Sequence, residues 1–172
     1  MVFSERRGAV LSPDRSDLLA FAERLNGEII LPEDGRYDEE RMIFNAAIDR
    51  RPAAIVRVAD AQDVVETLAF ARKHDLPVSV RGGGHGTMGF SMVDDGLVID
   101  LSLRKFVEVD VEKQTARAGA GLRAGEFLAQ VEPTGLVGLI GDASHTGISG
   151  MSLGGGYGWL SGKHGMVIDN ML

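Results

Sequence analysis

The chain has 172 residues and a formal net charge of −7, with 18 Lys and Arg residues against 25 Asp and Glu residues. This balance argues against a nucleic-acid surface, which needs basic patches, and the absence of Cys excludes disulfides and thiolate metal sites. No apolar run reaches transmembrane length and the N-terminus lacks the apolar stretch of a secretory signal, so we expect a soluble, cytoplasmic protein.

The first part of the sequence predicts helices and strands in alternation. Residues 1–13 are expected to form an arm. Apolar residues at helical spacing then predict a helix that is capped by Ser16 and ended by Gly27. A short strand over 28–31 and a short helix around 39–44 are expected to follow.

The next segment predicts a βαβ unit. Residues 54–58 and 78–81 are rich in Val and Ile and predict strands, and a helix capped by Asp60 is expected between them. The apolar stripe of that helix is predicted at Val64, Leu68 and Ala71. The two strands should be parallel. The loop after the second strand then lies at a carboxyl end, where open α/β sheets bind ligands.

That loop carries three consecutive glycines, Gly82–Gly84, followed by His85. Without Cβ atoms, the backbone N–H groups can converge on an anionic ligand. Arg81 is expected to add positive charge at the rim, and His85 to supply a reactive imidazole. The alternative is a flexible turn with a merely exposed histidine.

Three short strand patterns follow without helices between them, at 97–101, 106–111 and 115–118. Such a run predicts antiparallel pairing, and a helix is predicted over 123–131. We therefore predict an α/β (α+β) fold of two lobes with a ligand cleft between them. Residues 1–91 form the first lobe, which contains the βαβ unit, and residues 92–172 form the second, more antiparallel lobe.

A second glycine-rich segment covers residues 141–158. Its hydroxyl groups can add hydrogen bonds to a ligand, at Ser144, Thr146, Ser149 and Ser152. Its large apolar residues call for burial, at Ile148, Met151, Leu153, Tyr157, Trp159 and Leu160. This composition predicts a packed segment that wraps a ligand, and argues against a floppy loop.

Other interpretations of the motifs in this sequence have less support. Residues 84–89 and 119–124 match nicotinamide-dinucleotide fingerprints, but neither has the full strand-to-helix context that such a site needs. Residues 162–164 do not complete a Walker loop. No metal site is expected, because three histidines lack ligand-spaced partners: His85, His145 and His164. A ligand contact stays open for His145, which lies in the glycine-rich segment.

The paired glycine motifs resemble a known family. Residues Arg81–Ser91 and Leu97–Leu101 are similar to the FAD-binding domain of the vanillyl-alcohol oxidase / p-cresol methylhydroxylase superfamily, and most of all to its berberine bridge enzyme-like and oligosaccharide oxidase branch. Residues 146–165 resemble the same family in order and in distance from the first motif. The likeness extends from about residue 45 to the last residue.

The resemblance implies that FAD lies between the two lobes, with its pyrophosphate held by the glycine loop. It implies that His85 is joined covalently to the flavin 8-methyl carbon. Many family members have a second link through cysteine, but that position here is Ala143, so only one attachment is implied. The implied cofactor-binding residues are Arg81, Gly82, Gly83, Gly84, His85, Gly86, Ser91, Gly141, Asp142, Ala143, Thr146, Gly147, Ser149, Gly150, Gly154, Gly155 and Gly158.

The family also implies an activity. Its members are flavin-dependent oxidoreductases, so we expect an FAD-linked oxidase that takes hydride from an alcohol or sugar-type substrate and is reoxidised by oxygen. Family members continue with further strands and a substrate domain, so the chain is expected to be a truncated flavin domain that is inactive alone. A flavin-binding module without turnover is the alternative. Small-molecule substrates and self-association through an exposed lobe edge are expected, without nucleic-acid or membrane partners.

Overall fold

The computed structural model describes residues 13–172, so residues 1–12 of the predicted arm lie outside the described residues. The strands are β1 (Glu28–Ile30), β2 (Ala54–Arg57), β3 (Val78–Arg81), β4 (Leu97–Asp100), β5 (Val107–Asp110) and β6 (Thr115–Ala118). The helices are α1 (Arg15–Ala22), α2 (Tyr37–Glu40), α3 (Ala61–Lys73), α4 (Ala124–Val131), α5 (Ile148–Leu153) and α6 (Ser161–His164), with 3-10 turns at Glu132–Thr134 and Val167–Asn170. None of the helices in the described range is long and apolar enough to cross a bilayer.

The first sheet has four strands in the order β1-β2-β4-β3. Strand β1 is antiparallel to β2, whereas β4 is parallel to both β2 and β3. The predicted βαβ unit is therefore confirmed, because β2 and β3 run in the same direction and α3 connects them. Both strands end at the edge of the sheet where the glycine loop begins.

The antiparallel prediction for residues 97–101 is wrong. Strand β4 lies between β2 and β3, and all four of its residues are buried. A continuous apolar run of this kind is typical of a parallel strand that is covered on both faces. The predicted lobe boundary after residue 91 is therefore also wrong for β4, which belongs to the first sheet.

The second sheet is the hairpin of β5 and β6, which pair antiparallel as predicted. Helix α4 packs beside it, with Leu122, Ala124 and Ile148 forming a small apolar core. Val107 and Phe127 pack against this core from the hairpin and from α4. The core joins the start of α4 to the start of α5, which holds the second glycine-rich segment in place.

The core-facing side of α3 includes two residues of the predicted stripe, since Ala71 is buried and Val64 packs against the core. Leu68 is exposed, whereas Thr67 and Phe70 are buried beside Ala71. The hydroxyl of Thr67 donates to the carbonyl of Asp63 at 2.6 Å, so this polar side chain is buried with a partner. Phe70 stacks on Phe21 of α1 with ring centroids 4.5 Å apart.

The first helix is shorter than predicted. Its cap is Asp14, whose carboxylate accepts from the backbone N–H of Asp17 at 2.8 Å, and the helix ends at Ala22. Gly27 has another function, because a Cβ there would overlap the carbonyl oxygen of Arg57. Glycine is therefore needed for the close approach of this loop to β2.

A buried carboxylate fixes that loop against α3. The side chain of Asp63 is 0% exposed and accepts backbone hydrogen bonds from Asn26, Gly27 and Ala59, at 2.8, 2.9 and 2.8 Å. Because three N–H groups from two loops converge on one side chain, removal of the carboxylate leaves several buried donors without partners.

We predict that Asp63→Ala lowers the free energy of unfolding by about 3 kcal/mol, since buried donors would lose their acceptor. Urea unfolding followed by circular dichroism measures the loss. The exposed neighbour Gln62 provides the control, and Gln62→Ala should stay within about 0.5 kcal/mol of the unmodified chain. Equal stability of the two variants would contradict the assigned role of Asp63.

Candidate functional site

Arg81 ends β3 but does not lie at the rim of the glycine loop, contrary to the sequence-based expectation. Its side chain is buried and forms an ion pair with Asp100 at the end of β4. The Nε group donates to Asp100 Oδ2 at 2.9 Å, and another guanidinium N–H donates to the carbonyl of Glu40. Arg81 therefore fixes the start of the loop from inside the protein.

The two glycine-rich segments are in direct contact. A Cβ on Gly83 would overlap the backbone nitrogen of Gly147, and a Cβ on Gly147 would overlap that of Gly83. A Cβ on Gly82 would lie 2.5 Å from the hydroxyl oxygen of Ser149. Gly84 has a φ of 68°, in the left-handed region that favours glycine. The contact therefore requires backbone without side chains on both sides.

The second segment is held by the start of α4. The backbone N–H of Ala124 donates to the carbonyl of Thr146 at 2.9 Å, and that of Gly125 donates to Ser144 at 2.7 Å. The N–H of Ile148 donates to the carbonyl of Leu122 at 3.0 Å. These bonds form a short antiparallel pairing on either side of Gly147, which presents that glycine to the first loop.

A segment between α2 and β2 braces the first loop from outside. The backbone N–H of Phe44 donates to the carbonyl of Gly84 at 3.1 Å, and the side-chain amide of Asn45 donates to the carbonyl of Thr87 at 2.9 Å. The Arg50 guanidinium donates to Met92 O at 2.6 Å. Sequence reasoning missed this function, because residues 44–50 have no periodicity that would identify it.

Three rings meet at the end of the glycine loop. His85 stacks on Phe44 with ring centroids 4.3 Å apart, and the ring of His145 lies 4.5 Å from His85. Phe44 and His145 are 6.0 Å apart, so each ring is near the other two. The structure therefore brings His145 of the second segment beside His85 of the first.

Burial lowers the pKa of His85 below its ordinary value of 6.5, and the nearby His145 and Arg123 lower this pKa further. The neutral imidazole therefore persists at lower pH than in an exposed histidine. A neutral imidazole has a free nitrogen lone pair and can act as a nucleophile.

The other predicted site residues differ in their exposure and in their hydrogen bonds. The hydroxyl of Ser91 is buried without a hydrogen-bond partner, whereas Gly86, Asp142 and Gly150 are exposed. Gly141 donates its N–H to the sulfur of Met151 at 3.1 Å, and the carbonyl of Ala143 accepts from Thr146 at 3.1 Å.

The glycines after α5 pack against the chain itself. Gly154 donates its N–H to the carbonyls of Gly150 and Met151, both at 3.1 Å. A Cβ on Gly155 would lie 2.6 Å from Met166 Cε, and one on Gly158 would overlap the carbonyl of Ile140. A cofactor contact by Gly154, Gly155 or Gly158 therefore stays a prediction.

The expected packing of the second segment is only partly observed. Ile148 is buried, but Leu153, Tyr157 and Trp159 are 80%, 75% and 87% exposed. The prediction of burial is wrong for these three side chains, because no element among residues 13–172 covers them. The segment is therefore buried at its start, beside the glycine contact, whereas large side chains at its end are exposed.

A groove of about 1030 Å³ lies beside the hairpin of the second sheet. It is lined by β6, by residues 135–140 and by parts of α4 and α5, with Ser149 as its single member from the predicted cofactor residues. Neither His85 nor Gly82–Gly84 lines it. The groove is therefore separate from the cluster of rings.

Comparison with known proteins identifies the family of the chain. A family model described as an FAD binding domain matches residues 52–172. The chain belongs to this family. It is 34% identical over 157 residues to (R)-6-hydroxynicotine oxidase of Paenarthrobacter nicotinovorans, an alignment that covers 91% of this chain and 34% of that protein.

Two solved structures of FAD-family proteins have the same fold. The crystal structure of 6-hydroxy-D-nicotine oxidase from Arthrobacter nicotinovorans matches with a TM-score of 0.83 and 33% identity, over 84% of this chain and 32% of that one. The BBE-like 1 protein of Physcomitrella patens matches with a TM-score of 0.83 and 29% identity, over 89% and 34%. The resemblance to the berberine bridge enzyme-like branch is confirmed, and the chain spans about a third of the length of these relatives.

The residues present fit a flavin dinucleotide. Gly82, Gly83 and Gly147 are needed for the contact between the two segments, where an added Cβ would meet protein atoms, and glycine-rich backbone of this kind can also present N–H groups to an anionic pyrophosphate. The buried hydroxyl of Ser91 has an unused hydrogen-bonding capacity, and His85 offers a nucleophile beside the loop. These groups are compatible with FAD, the cofactor named in the description of the matching family.

We predict that Gly83→Ala weakens FAD binding roughly tenfold or more, because the new methyl group forces the two segments apart at a cost of about 1–3 kcal/mol. Titration of FAD fluorescence measures the affinity. Gly162→Ala is the control, because an added Cβ at Gly162 meets open space. Unchanged affinity in Gly83→Ala, with native circular dichroism, would show that the contact does not shape the cofactor site.

Proposed function

We propose that the chain is the FAD-binding portion of an oxidoreductase whose flavin accepts hydride from a substrate C–H bond and is reoxidised by oxygen. The observation that supports this most is the contact of two Cβ-free segments beside His85. Bound FAD would supply the two-electron chemistry, and the chain would bind and orient it. Relatives named as FAD-linked oxidoreductases and oxidases agree with this class.

The cofactor would be held by both glycine-rich segments. Gly82–Gly84 and Gly147 would face the pyrophosphate with backbone N–H groups, and Ser91 and Ser149 would add hydroxyl contacts. His85 would bond to the carbon of the flavin 8-methyl group through a neutral imidazole nitrogen. Ala143 takes the position of the second, cysteine link of many family members, so we propose a single attachment.

We predict that FAD stays with the protein after acid precipitation and that the protein gains the mass of FAD, because His85 forms a covalent bond. His85→Ala should abolish the added mass and leave the flavin in the supernatant. The exposed His164 is the control, and His164→Ala should retain the mass. Flavin released by acid from the loaded, unmodified chain would overturn the attachment.

The pH dependence of the attachment follows from the lowered pKa of His85. Protonation removes the nucleophilic lone pair, so the attachment rate should fall on acidification only below pH 6.5, the ordinary value for histidine. The time course of covalent FAD mass over a pH series measures this limb. An acidic limb centred above pH 6.5 would contradict the assigned environment of His85.

A second candidate function is a flavin-binding module without turnover of its own. The chain spans about a third of its relatives, and the flavin ring needs a positioned substrate for turnover. We propose that substrate binding and proton removal depend on residues outside residues 13–172. Self-association through the exposed apolar surface near Trp159 is part of this proposal.

We predict that the purified chain, loaded with FAD, produces no peroxide above the His85→Ala background with sugars, aromatic alcohols or cyclic amines. The last class is included because (R)-6-hydroxynicotine oxidase is a relative. Peroxide detection measures turnover, and light scattering on the same samples measures the oligomeric state. Substrate-dependent peroxide that His85→Ala abolishes would show that the chain is a complete oxidase.

A further inference from the structure

Arg123 lies directly opposite Gly147 in the short antiparallel pairing that holds the second glycine-rich segment. Hydrogen bonds from the backbone N–H groups of Ala124 and Ile148 flank this pair on both sides, at 2.9 and 3.0 Å. The two opposed residues therefore form a non-hydrogen-bonded pair, in which the Cα atoms are about 4.5 Å apart. Arg123 is thus one strand spacing away from the contact between the two glycine-rich segments.

The side chain of Arg123 leaves this pairing on the face that meets the first glycine loop. Residues directly opposite one another in an antiparallel pair have their side chains on the same face. A Cβ on Gly147 would overlap the backbone of Gly83, so the face shared with Arg123 is the one toward Gly83. Burial lowers the pKa of His85 most, and His145 and the guanidinium of Arg123 lower it further, which agrees with this direction.

The positive charge of Arg123 is not neutralised by an ion pair within residues 13–172. Its side chain is exposed. The nearest carboxylate along the chain, that of Glu126, accepts the backbone N–H of Arg123 at 2.8 Å and pairs with Lys105 at 2.5 Å. The other arginine at the glycine loop, Arg81, is buried and paired with Asp100. Arg123 is therefore the cation that can meet a ligand here.

We propose that Arg123 pairs with the pyrophosphate of bound FAD through its guanidinium. This inference rests on the proposed cofactor site, and it adds a residue from outside the two glycine-rich segments. The pyrophosphate brings further negative charge to a chain whose formal net charge is already −7. Backbone N–H groups offer only partial positive charge, whereas a guanidinium offers a full charge and a planar set of N–H donors that matches phosphate oxygens.

The two arginines near the loop would then have different functions. The sequence indicated Arg81 as the source of positive charge, because it directly precedes Gly82. In the structure Arg81 is used inside the protein, and pairing between distant segments brings Arg123 to the ligand side of the contact. The contribution of Arg123 should therefore depend on the phosphates of the cofactor and not on its flavin ring.

The test compares Arg123→Gln and Arg123→Lys with the unmodified chain and with the control Arg72→Gln. Arg72 is an exposed arginine in the last turn of α3, which leads to the start of β3, whereas the glycine loop follows the end of that strand. Fluorescence quenching directly after mixing measures the affinity for FAD and for riboflavin, which has the same ring without phosphate. Arg123→Gln should weaken FAD binding roughly tenfold to a hundredfold and leave riboflavin binding unchanged. Arg123→Lys should retain part of the FAD affinity, and Arg72→Gln all of it.

Salt provides a second measurement. Screening weakens an exposed ion pair, so the FAD affinities of the unmodified chain and of Arg123→Gln should converge at about 1 M NaCl. Equal FAD affinities at low salt would overturn the function of Arg123 and leave the cofactor site standing. Equal losses of FAD and riboflavin affinity would also overturn it, because they would indicate a structural effect. An unmodified chain that binds neither flavin would overturn both proposals.

Discussion

The candidate site depends on one constraint, the contact of two backbone segments at Gly83 and Gly147. Because a Cβ on either glycine would overlap the other backbone, the segments can meet only if both positions lack a side chain. Gly83 lies just after the end of β3 in the first sheet. Gly147 is held beside it by hydrogen bonds between the start of α4 and the residues on both sides of Gly147. His85 and His145 lie just beyond this contact, so their proximity is a consequence of it.

The buried pair of Arg81 and Asp100 sets the direction in which the first loop leaves the sheet. It joins the ends of two adjacent parallel strands, and Asp100 also accepts the backbone N–H of Ser102 at 2.7 Å. A buried ion pair contributes little net stability when it is intact, but loss of one partner leaves an uncompensated charge at a cost of about 3–5 kcal/mol. The pair therefore acts mainly as a specific constraint on the loop, which is why Arg81 is unavailable to a ligand at the rim.

Sequence patterns predicted most elements and both glycine segments, because backbone periodicity and Cβ-free turns are local properties. Sequence patterns gave wrong predictions where pairing between distant segments determines the structure. The place of β4 between β2 and β3 follows from its burial on both faces, and the buried face of α3 contains Thr67 because its hydroxyl has a local acceptor. The meeting of Phe44, His85 and His145 could not be predicted, since each ring comes from a different part of the chain. The glycine-rich motifs draw attention to the two histidines, but no local pattern places them or Phe44 side by side.

The candidate site is held by contacts within the described chain, whereas the exposed apolar surface at Leu153, Tyr157 and Trp159 is not covered by such contacts. The glycine contact and the cluster of rings are formed within residues 13–172, by backbone hydrogen bonds and by the buried core around Leu122. Trp159, Tyr157 and Leu153 have no such cover, and exposure of large apolar side chains is unfavourable in water. The cofactor attachment proposed at His85 would involve the first set of contacts, whereas Trp159, Tyr157 and Leu153 lie outside the ring cluster. Under this proposal, flavin binding and burial of the apolar surface would depend on different parts of the fold.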